Sequence, residues 1–314
     1  MSRESALIES LRGLAASPAA RGLLDDAAVL EIGSATLVLT HDMLVEGIHY
    51  LPSDPPQDVA WKLVAVNLSD LAAKGARPVG VLMGYVLGDE AWDRAFVAGL
   101  GAALSAFGVA LLGGDTVSAP PGAPRMLGMT AVGEAAGPVP SRAGARPGDA
   151  LWVTGWIGDA GAGLRMLKGE LAGQSALIDR YRRPSPRVHA GEALAPLVSA
   201  MMDVSDGLLI DASRLAAASA AAIAIDLALL PLSAPYRQCK SGGREARLAA
   251  ATAGDDYELL FAAPPERTAT IAALADLLEL PLTRIGVVEA GSGLYLGDAG
   301  AALPLPPRLG WEHG

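Results

Sequence analysis

Cysteine is nearly absent from this chain: Cys239 is the single one among 314 residues. That excludes a disulfide framework and a cysteine zinc cluster, and it fits a reducing cytoplasm. Aromatic residues are scarce too, at 4%, so the abundant Gly and Ala point to helices packed closely through small side chains. Basic residues are too few to balance the acidic ones. With 24 Lys+Arg against 34 Asp+Glu the formal charge is −10, which argues against a nucleic acid held on a broad basic surface. Long apolar runs are also missing. Residues 95–114 are uncharged but dominated by Ala and Gly and divided at Gly108, while residues 215–236 are interrupted by Asp226 and Pro231. Neither suits a bilayer span. The first residues, MSRESALIESLRGLAAS, carry charges where a signal peptide needs an apolar stretch. The expectation is a cytoplasmic protein with no membrane partner.

What is present is a large supply of core. Half the residues are hydrophobic, and the length suits two domains. The pattern predicts strands over 36–43, 79–87, 109–113 and 126–134, with helices over 56–74 and 91–106. Ser53 or Asp54 can cap the first helix, Pro56 suits its first turn, and Gly75 followed by Pro78 stops it. Residues 135–149, rich in Gly, Pro and Ala, mark the junction. Beyond it, strands near 150–155, 199–204, 223–229, 283–288 and 293–296 alternate with helices near 158–171, 206–219 and 267–279, which reads as α/β layering.

Aspartates mark the ends of several of these segments. Asp42 is read at the end of one strand, Asp115 follows Gly113-Gly114 at the end of another, and Asp203 and Asp206 stand at a strand-to-helix turn. Asp25 and Asp26 precede an apolar stretch. Carboxylates at strand ends commonly converge on a ligand crevice, and an oxygen-rich set of this kind suits Mg²⁺. Asp70 is tested by helix geometry. At about 100° per residue, Asn67, Asp70 and Lys74 fall in a sector of about 60° that also holds Leu63, with Asp58, Lys62 and Ser69 on the opposite, solvent-like side. A carboxylate inside an apolar arc needs a partner or a metal.

Each feature also has an ordinary reading. Ser205 and Asp206 suit a helix N-cap, Gly113-Gly114-Asp115 a turn, Asp25-Asp26 a solvated loop pair, and Asp70 a helix-internal hydrogen bond. Residues 155–163 (GWIGDAGAG) follow a strand and open a helix, yet fail the dinucleotide spacing. No P-loop, His-Arg-Asp or H-E-x-x-H motif occurs. Of the four histidines, His41 and His49 flank the Asp42 region, and His313 is nearly terminal. Arg182, Arg183 and Arg187, interrupted by prolines, read as a solvated helix entry.

Together, residues 25–30 (DDAAVL), 40–49 (THDMLVEGIH), 66–78 (VNLSDLAAKGARP), 113–116 (GGDT), 141–149 (SRAGARPGD), 203–208 (DVSDGL) and 254–259 (GDDYEL) resemble the thiamine-monophosphate kinase family of the aminoimidazole-ribonucleotide-synthetase-like superfamily. They occur in family order across nearly the whole chain. The resemblance implies ATP-dependent phosphorylation of thiamine monophosphate to thiamine diphosphate, with several Mg²⁺ ions. By position, Asp26, Thr40, Asp42, Asp70, Asp115, Asp203 and Asp206 are the implied metal ligands. Gly114, Asp115, Arg142 and Ser205 are the implied ATP contacts, and His49, Asp255 and Trp311 the implied thiamine phosphate contacts. The implied fold is α+β: residues 1–145 hold a mixed sheet that builds a dimer barrel, and residues 146–314 an α/β-layered domain completing the substrate site. A homodimer follows from the resemblance alone. Leu24, Lys74 and Asp255 depart from the residues most frequent in the family, Gly, Met and Glu respectively.

The implied nucleophile is a phosphate oxygen already anionic near neutral pH, so no residue is assigned as a catalytic base. Alignment and charge stabilisation are what in-line transfer requires. Selenophosphate synthetase would need a reactive Cys or Lys in a Gly-rich N-terminal segment, and the hydrogenase-maturation relative a C-terminal cysteine. Aminoimidazole ribonucleotide synthetase and a non-catalytic nucleotide-binding paralogue remain the alternatives.

Overall fold

A computed structural model describes residues 3–312, so His313 lies outside the described residues. Two mixed sheets with flanking helices make an α+β architecture. The first sheet comprises β1 (Ala28–Ile32), β2 (Ala35–Val45), β3 (Arg77–Val86), β4 (Ala110–Val117) and β5 (Met126–Ala135), in the order β1-β2-β5-β3-β4. Only the β3–β4 pairing is parallel. The second comprises β6 (Ala150–Thr154), β7 (Ala200–Val204), β8 (Ala222–Asp226), β9 (Glu258–Ala263), β10 (Leu282–Glu289), β11 (Gly293–Asp298) and β12 (Ala301–Leu303), in the order β12-β11-β8-β10-β6-β9-β7. Both sheets are open.

The helices are α1 (Arg3–Arg12), α2 (Pro56–Ala73), α3 (Glu90–Phe107), α4 (Asp159–Leu167), α5 (Ser175–Arg182), α6 (Val188–Leu194), α7 (Leu208–Ser219), α8 (Ala234–Lys240), α9 (Arg244–Ala251) and α10 (Thr268–Leu277). No helix of the described residues is long and apolar enough to cross a membrane. Two strand ends need correcting. Strand β2 runs on to Val45 and β4 to Val117, so Asp42 and Asp115 lie within strands.

Helix α2 joins the two halves. It packs against α3, β2 and β5 of the first half and against α5, α6, β7 and β9 of the second. Leu63, Val64, Leu68 and Leu71 fill the first core, while Ala72 and Ala73 join Trp152, Leu194, Met201 and Phe261 in a core shared across the halves. Small residues permit the second approach: a Cβ on Gly191 of α6 would stand 2.0 Å from the Ala72 carbonyl oxygen. The helix ends as its sequence signals. Gly75 adopts φ +61°, and Ala76 N donates to Leu71 O at 3.0 Å.

Two readings of α2 are overturned. Its N-cap is Pro55, with no side-chain cap bond, because Asp54 instead accepts Leu51 N and pairs with Arg182. The expected solvent face ends with the first turn: Asp58 stays partly exposed, but Lys62 is 1% exposed and Ser69 is fully buried. Beyond that turn the helix is enclosed by two sheets, so its polar side chains must find partners inside the protein.

Candidate functional site

Strand alternation sets the first part of the site. On β2, Thr40 and Asp42 face inward while His41 turns to the other face and meets Thr130 Oγ1 at 2.9 Å. Asn67 on α2 fixes the strand to the helix: its Oδ1 accepts the Asp42 backbone N–H at 3.0 Å, and its Nδ2 donates to Leu63 O. Thr40 Oγ1 donates to Asp70. From the second half, Asp203 at the end of β7 accepts a 2.7 Å hydrogen bond from Ser69 Oγ, one residue before Asp70.

Three carboxylates thereby converge. One oxygen each of Asp26, Asp70 and Asp203 lies within 4.8 Å of the other two. Burial, reinforced by repulsion from Asp42, Asp203 and Asp26, drives the Asp70 carboxyl well above the ordinary carboxylate range. Burial and Asp26 do the same to Asp203. Asp42 is pushed up to about 6, first by burial and then by Asp206 and Asp26, against the pull of His41. Oxygen donors held together against their own repulsion suit a hard divalent cation, so the residue set fits Mg²⁺. Asp26 Oδ2, though buried and without a hydrogen bond of good geometry, stands 2.6 Å from Lys74 Nζ.

The Asp25-Asp26 pair is not a solvated loop: its side chains are 2% and 0% exposed. Burial would raise Asp25, but Lys74 and Arg21 beside it hold its carboxyl down to about 2. Arg142 Nε donates to Asp26 Oδ1 at 2.7 Å, bringing the implied ATP contact to the edge of the acidic group.

The turn after β7 has its own organiser. Oδ2 of Asp211, a fully buried residue of α7, accepts the backbone N–H groups of Ser205, Asp206 and Gly207 at 3.1, 3.1 and 3.2 Å. Arg214 then joins Asp211 and Asp206, at 2.7 and 2.6 Å. The only sequence signal for Asp211 is its place four residues after Gly207, on the first turn of the helix. The same turn gathers distant chain: Asp255 N donates to Ser205 O, and Trp311 N to Asp206 O. Trp311 is 52% exposed.

His49 and Asp255, far apart in sequence, meet through Lys62. Its Nζ donates to His49 O at 2.9 Å and to Asp255 Oδ2 at 3.1 Å, and lies 4.0 Å from the Tyr181 ring centroid. Asp255 and Tyr257 both adopt positive φ, +70° and +50°, an uncommon conformation for side-chain-bearing residues. Tyr257 Oη donates to Asp255 Oδ1 at 3.0 Å. Lys62 and Tyr257 were not among the expected site residues.

Gly114 and Asp115 are not brought into this group. They lie on edge strand β4, and the register runs Asp42–Met129–Met83–Gly114 across the sheet. Three strand spacings put them about 14 Å from Asp42. Gly114 is required locally: a Cβ there would fall 1.9 Å from Met83 O. Asp115 is exposed and accepts the N–H of Thr116.

Two loose ends of the sequence close here. The glycine-rich turn 155–163 is capped internally, because Asp256 accepts the N–H groups of Gly158 and Ala160. Of the arginines read as a solvated entry, Arg183 is exposed, while Arg182 and Arg187 are half-buried and paired. Arg187 Nε donates to the buried Glu258 at 2.6 Å, Arg182 pairs with Asp54 and Arg183 with Asp58.

Comparison with known proteins follows the same division. Residues 24–135 match the family described as AIR synthase related protein, N-terminal domain, and residues 146–298 its C-terminal domain. The fold and site thus define a two-domain AIR synthase related protein. The thiamine-monophosphate kinase of Caulobacter vibrioides is 39% identical over 307 residues, covering 95% of this chain and 86% of that protein. A solved structure described as AaThiL complexed with AMPPCP and TMP aligns with TM-score 0.82 at 32% identity, covering 94% of each chain. The thiamine-monophosphate kinase from Stenotrophomonas maltophilia aligns with TM-score 0.77 at 37% identity, over 94% of this chain and 95% of that one. The chain belongs to the thiamine-monophosphate kinase family.

Proposed function

We propose that this protein transfers the terminal phosphoryl group of ATP to thiamine monophosphate, giving ADP and thiamine diphosphate. The observation that carries the reading is the buried Asp26–Asp70–Asp203 convergence in a chain of this family. Asp26, Asp42, Asp70 and Asp203 are the residues that would hold Mg²⁺, with Thr40 and Asp206 beside them. Bound there, Mg²⁺ supplies positive charge between the acidic side chains and the phosphates.

The remaining roles belong to the chain itself. Arg142 borders the acidic group and directs its guanidinium charge at ATP, with Ser205 on a turn that Asp211 holds rigid. His49 and Asp255, tied together by Lys62, form the contact for thiamine phosphate, and Trp311 offers an indole face for its rings. The attacking phosphate oxygen is anionic already, so transfer proceeds in line without a phospho-enzyme and without a protein base. Domain roles follow: residues 1–145 supply most of the metal and ATP contacts and residues 146–314 complete the substrate site.

The homodimer is proposed on the open face of the first sheet. Leu82, Leu111, Leu112 and Val117 are exposed, and all of β4 is uncovered. A second copy on that sheet would cover the strand carrying Gly114 and Asp115. A cytoplasmic location fits the single cysteine and the substrates.

The test is product analysis with ATP, Mg²⁺ and thiamine monophosphate. ADP and thiamine diphosphate in equal amounts are expected. Folded protein that yields neither sinks the reading, and turnover of formylglycinamidine ribonucleotide would move it to the aminoimidazole ribonucleotide synthetase alternative.

A further inference from the structure

We infer that His49 meets thiamine phosphate as a neutral imidazole donating through Nε2–H, a tautomer imposed by the backbone of Val45. The inference deepens the kinase reading, on which it rests for the identity of the ligand.

Residues 45–50 form a tight turn at the end of β2, closed largely by its own backbone. Ile48 N and His49 N both donate to Val45 O, at 3.1 and 3.0 Å, and Gly47 N donates to Tyr50 O at 2.8 Å. Gly47 turns the chain with φ +81°, a region that favours glycine. Arg125 holds the turn from outside. Its carbonyl accepts Glu46 N at 2.9 Å, and its guanidinium pairs with the Glu46 carboxylate at 3.3 Å. That guanidinium lies in turn 3.7 Å over the Trp92 ring. His49 is thus half-buried on backbone tied down at both ends of the turn.

The ring is tied back into the same turn. The Val45 backbone N–H donates to His49 Nδ1 at 3.0 Å. A peptide N–H can only donate, so Nδ1 presents its lone pair and carries no proton. A neutral imidazole of that kind has its proton on Nε2, which makes Nε2 a donor and not an acceptor. A second proton would have to enter at Nδ1, where it would face the Val45 N–H. The carboxylates of neighbouring elements do not call for that proton, because each has a cation already. Glu46 pairs with Arg125, Asp54 with Arg182 and Asp255 with Lys62, and the Lys62 ammonium also bonds His49 O at 2.9 Å. His49 therefore brings direction rather than charge to the site. It selects a ligand atom with a lone pair, a phosphate oxygen or a ring nitrogen of the thiamine group. With its own lone pair engaged by Val45, the ring does not serve as a base, in keeping with a transfer that needs none.

The experiment reads the ring directly. The full chain is labelled with ¹⁵N-histidine, and because it has four histidines, His49 is assigned by the signal that a His49→Asn variant lacks. Long-range proton–nitrogen correlation near neutral pH is expected to show one ring proton, on Nε2. Thiamine monophosphate should shift the Nε2 resonance and leave Nδ1 unprotonated. A ring protonated on Nδ1, or on both nitrogens, overturns the inference. Two variants then separate the nitrogens. Asparagine places its oxygen near Nδ1, so His49→Asn keeps the Val45 bond and loses the donor. Glutamine reaches as far as Nε2, so His49→Gln keeps a donor and loses the Val45 bond. In titration calorimetry without nucleotide, the Asn variant is expected to bind thiamine monophosphate about tenfold more weakly than the wild type, and the Gln variant within about threefold of it. The reverse order, or equal losses, overturns the inference. Should the Gln variant unfold without its Val45 bond, the wild-type spectrum still decides. A wild-type chain that does not bind thiamine monophosphate would count against the kinase reading alone, because the tautomer is readable without a ligand.

Discussion

Helices α2 and α3 are both 18 residues long, lie side by side, and follow opposite rules. On α3 the buried residues are Phe96, Gly99, Leu100 and Ala103, one stripe at the spacing of an amphipathic helix. Asp89 caps it by accepting Trp92 N at 2.9 Å. On α2 fourteen residues are buried, including Lys62, Asn67, Ser69 and Asp70. One helix supplies core to a single sheet. The other stands between two sheets, and its polar residues hold together what the chain brings from both sides. The difference teaches that a helix supporting a site can lose the periodicity by which helices are recognised.

Substitutions on the two helices should therefore separate into chemistry and stability. The largest effect expected is Asp70→Asn on α2: turnover falls on the order of a thousandfold, about 4 kcal/mol of barrier, with a native circular dichroism spectrum. A change in melting temperature with turnover intact would make Asp70 a structural residue. On α3, Phe96→Ala should cost about 3 kcal/mol of stability by denaturant unfolding while the folded fraction keeps its activity. Back on α2, Lys62→Met should raise KM for thiamine monophosphate about tenfold, leaving KM for ATP unchanged, because it frees His49 and Asp255 from their common partner. Equal changes in both constants would contradict that assignment.

A smaller effect concerns pH. Asp42, Asp70 and Asp203 have carboxyl groups raised in the folded state, Asp42 to about 6, above their ordinary value near 3.8. The folded chain then binds more protons than the unfolded chain, so stability is greatest at low pH in this window and falls as pH rises from about 4 through 6. In chelator, the melting temperature should drop across that rise. Saturating Mg²⁺ should flatten or reverse the slope, since metal binds the ionised carboxylates. Identical slopes with and without Mg²⁺ would remove the cation from the account. The smallest effect is expected for Arg94→Ala on the solvent side of α3, about 0.5 kcal/mol or less, because its ion pair with Glu90 is exposed.

Much of the layout was legible from sequence because it is local. Alternation marked β2, and Gly75 marked the end of α2. The apolar arc holding Asp70 identified a buried carboxylate correctly. What escaped is long-range. The partner of Lys62 is Asp255, 193 residues away, so a helical wheel assigned Lys62 to water. Arg187 looked solvated for the same reason, its partner Glu258 being in a strand of the same half but 71 residues further on. Asp211 is hidden because its role is to receive backbone N–H groups, for which composition carries no signal. Gly114 and Asp115 show the converse. Their motif is plain in sequence, yet in the single chain they stand three strands from Asp42.

The position of α2 also bears on cooperativity. A helix that is core to both sheets leaves neither half with a complete interior of its own. Cutting the chain in the 136–149 connection would strip the second half of Ala72, Ala73 and the Lys74 contact with Met201. It would also leave Lys62 and Ser69 of the first half buried against nothing. Two matched family regions here describe ancestry and architecture, while the shared core predicts that both halves melt together, which a calorimetric scan with a single transition would bear out and two separated transitions would contradict. Destabilisation anywhere along α2 is then felt at once by the ends of both sheets that frame the carboxylates.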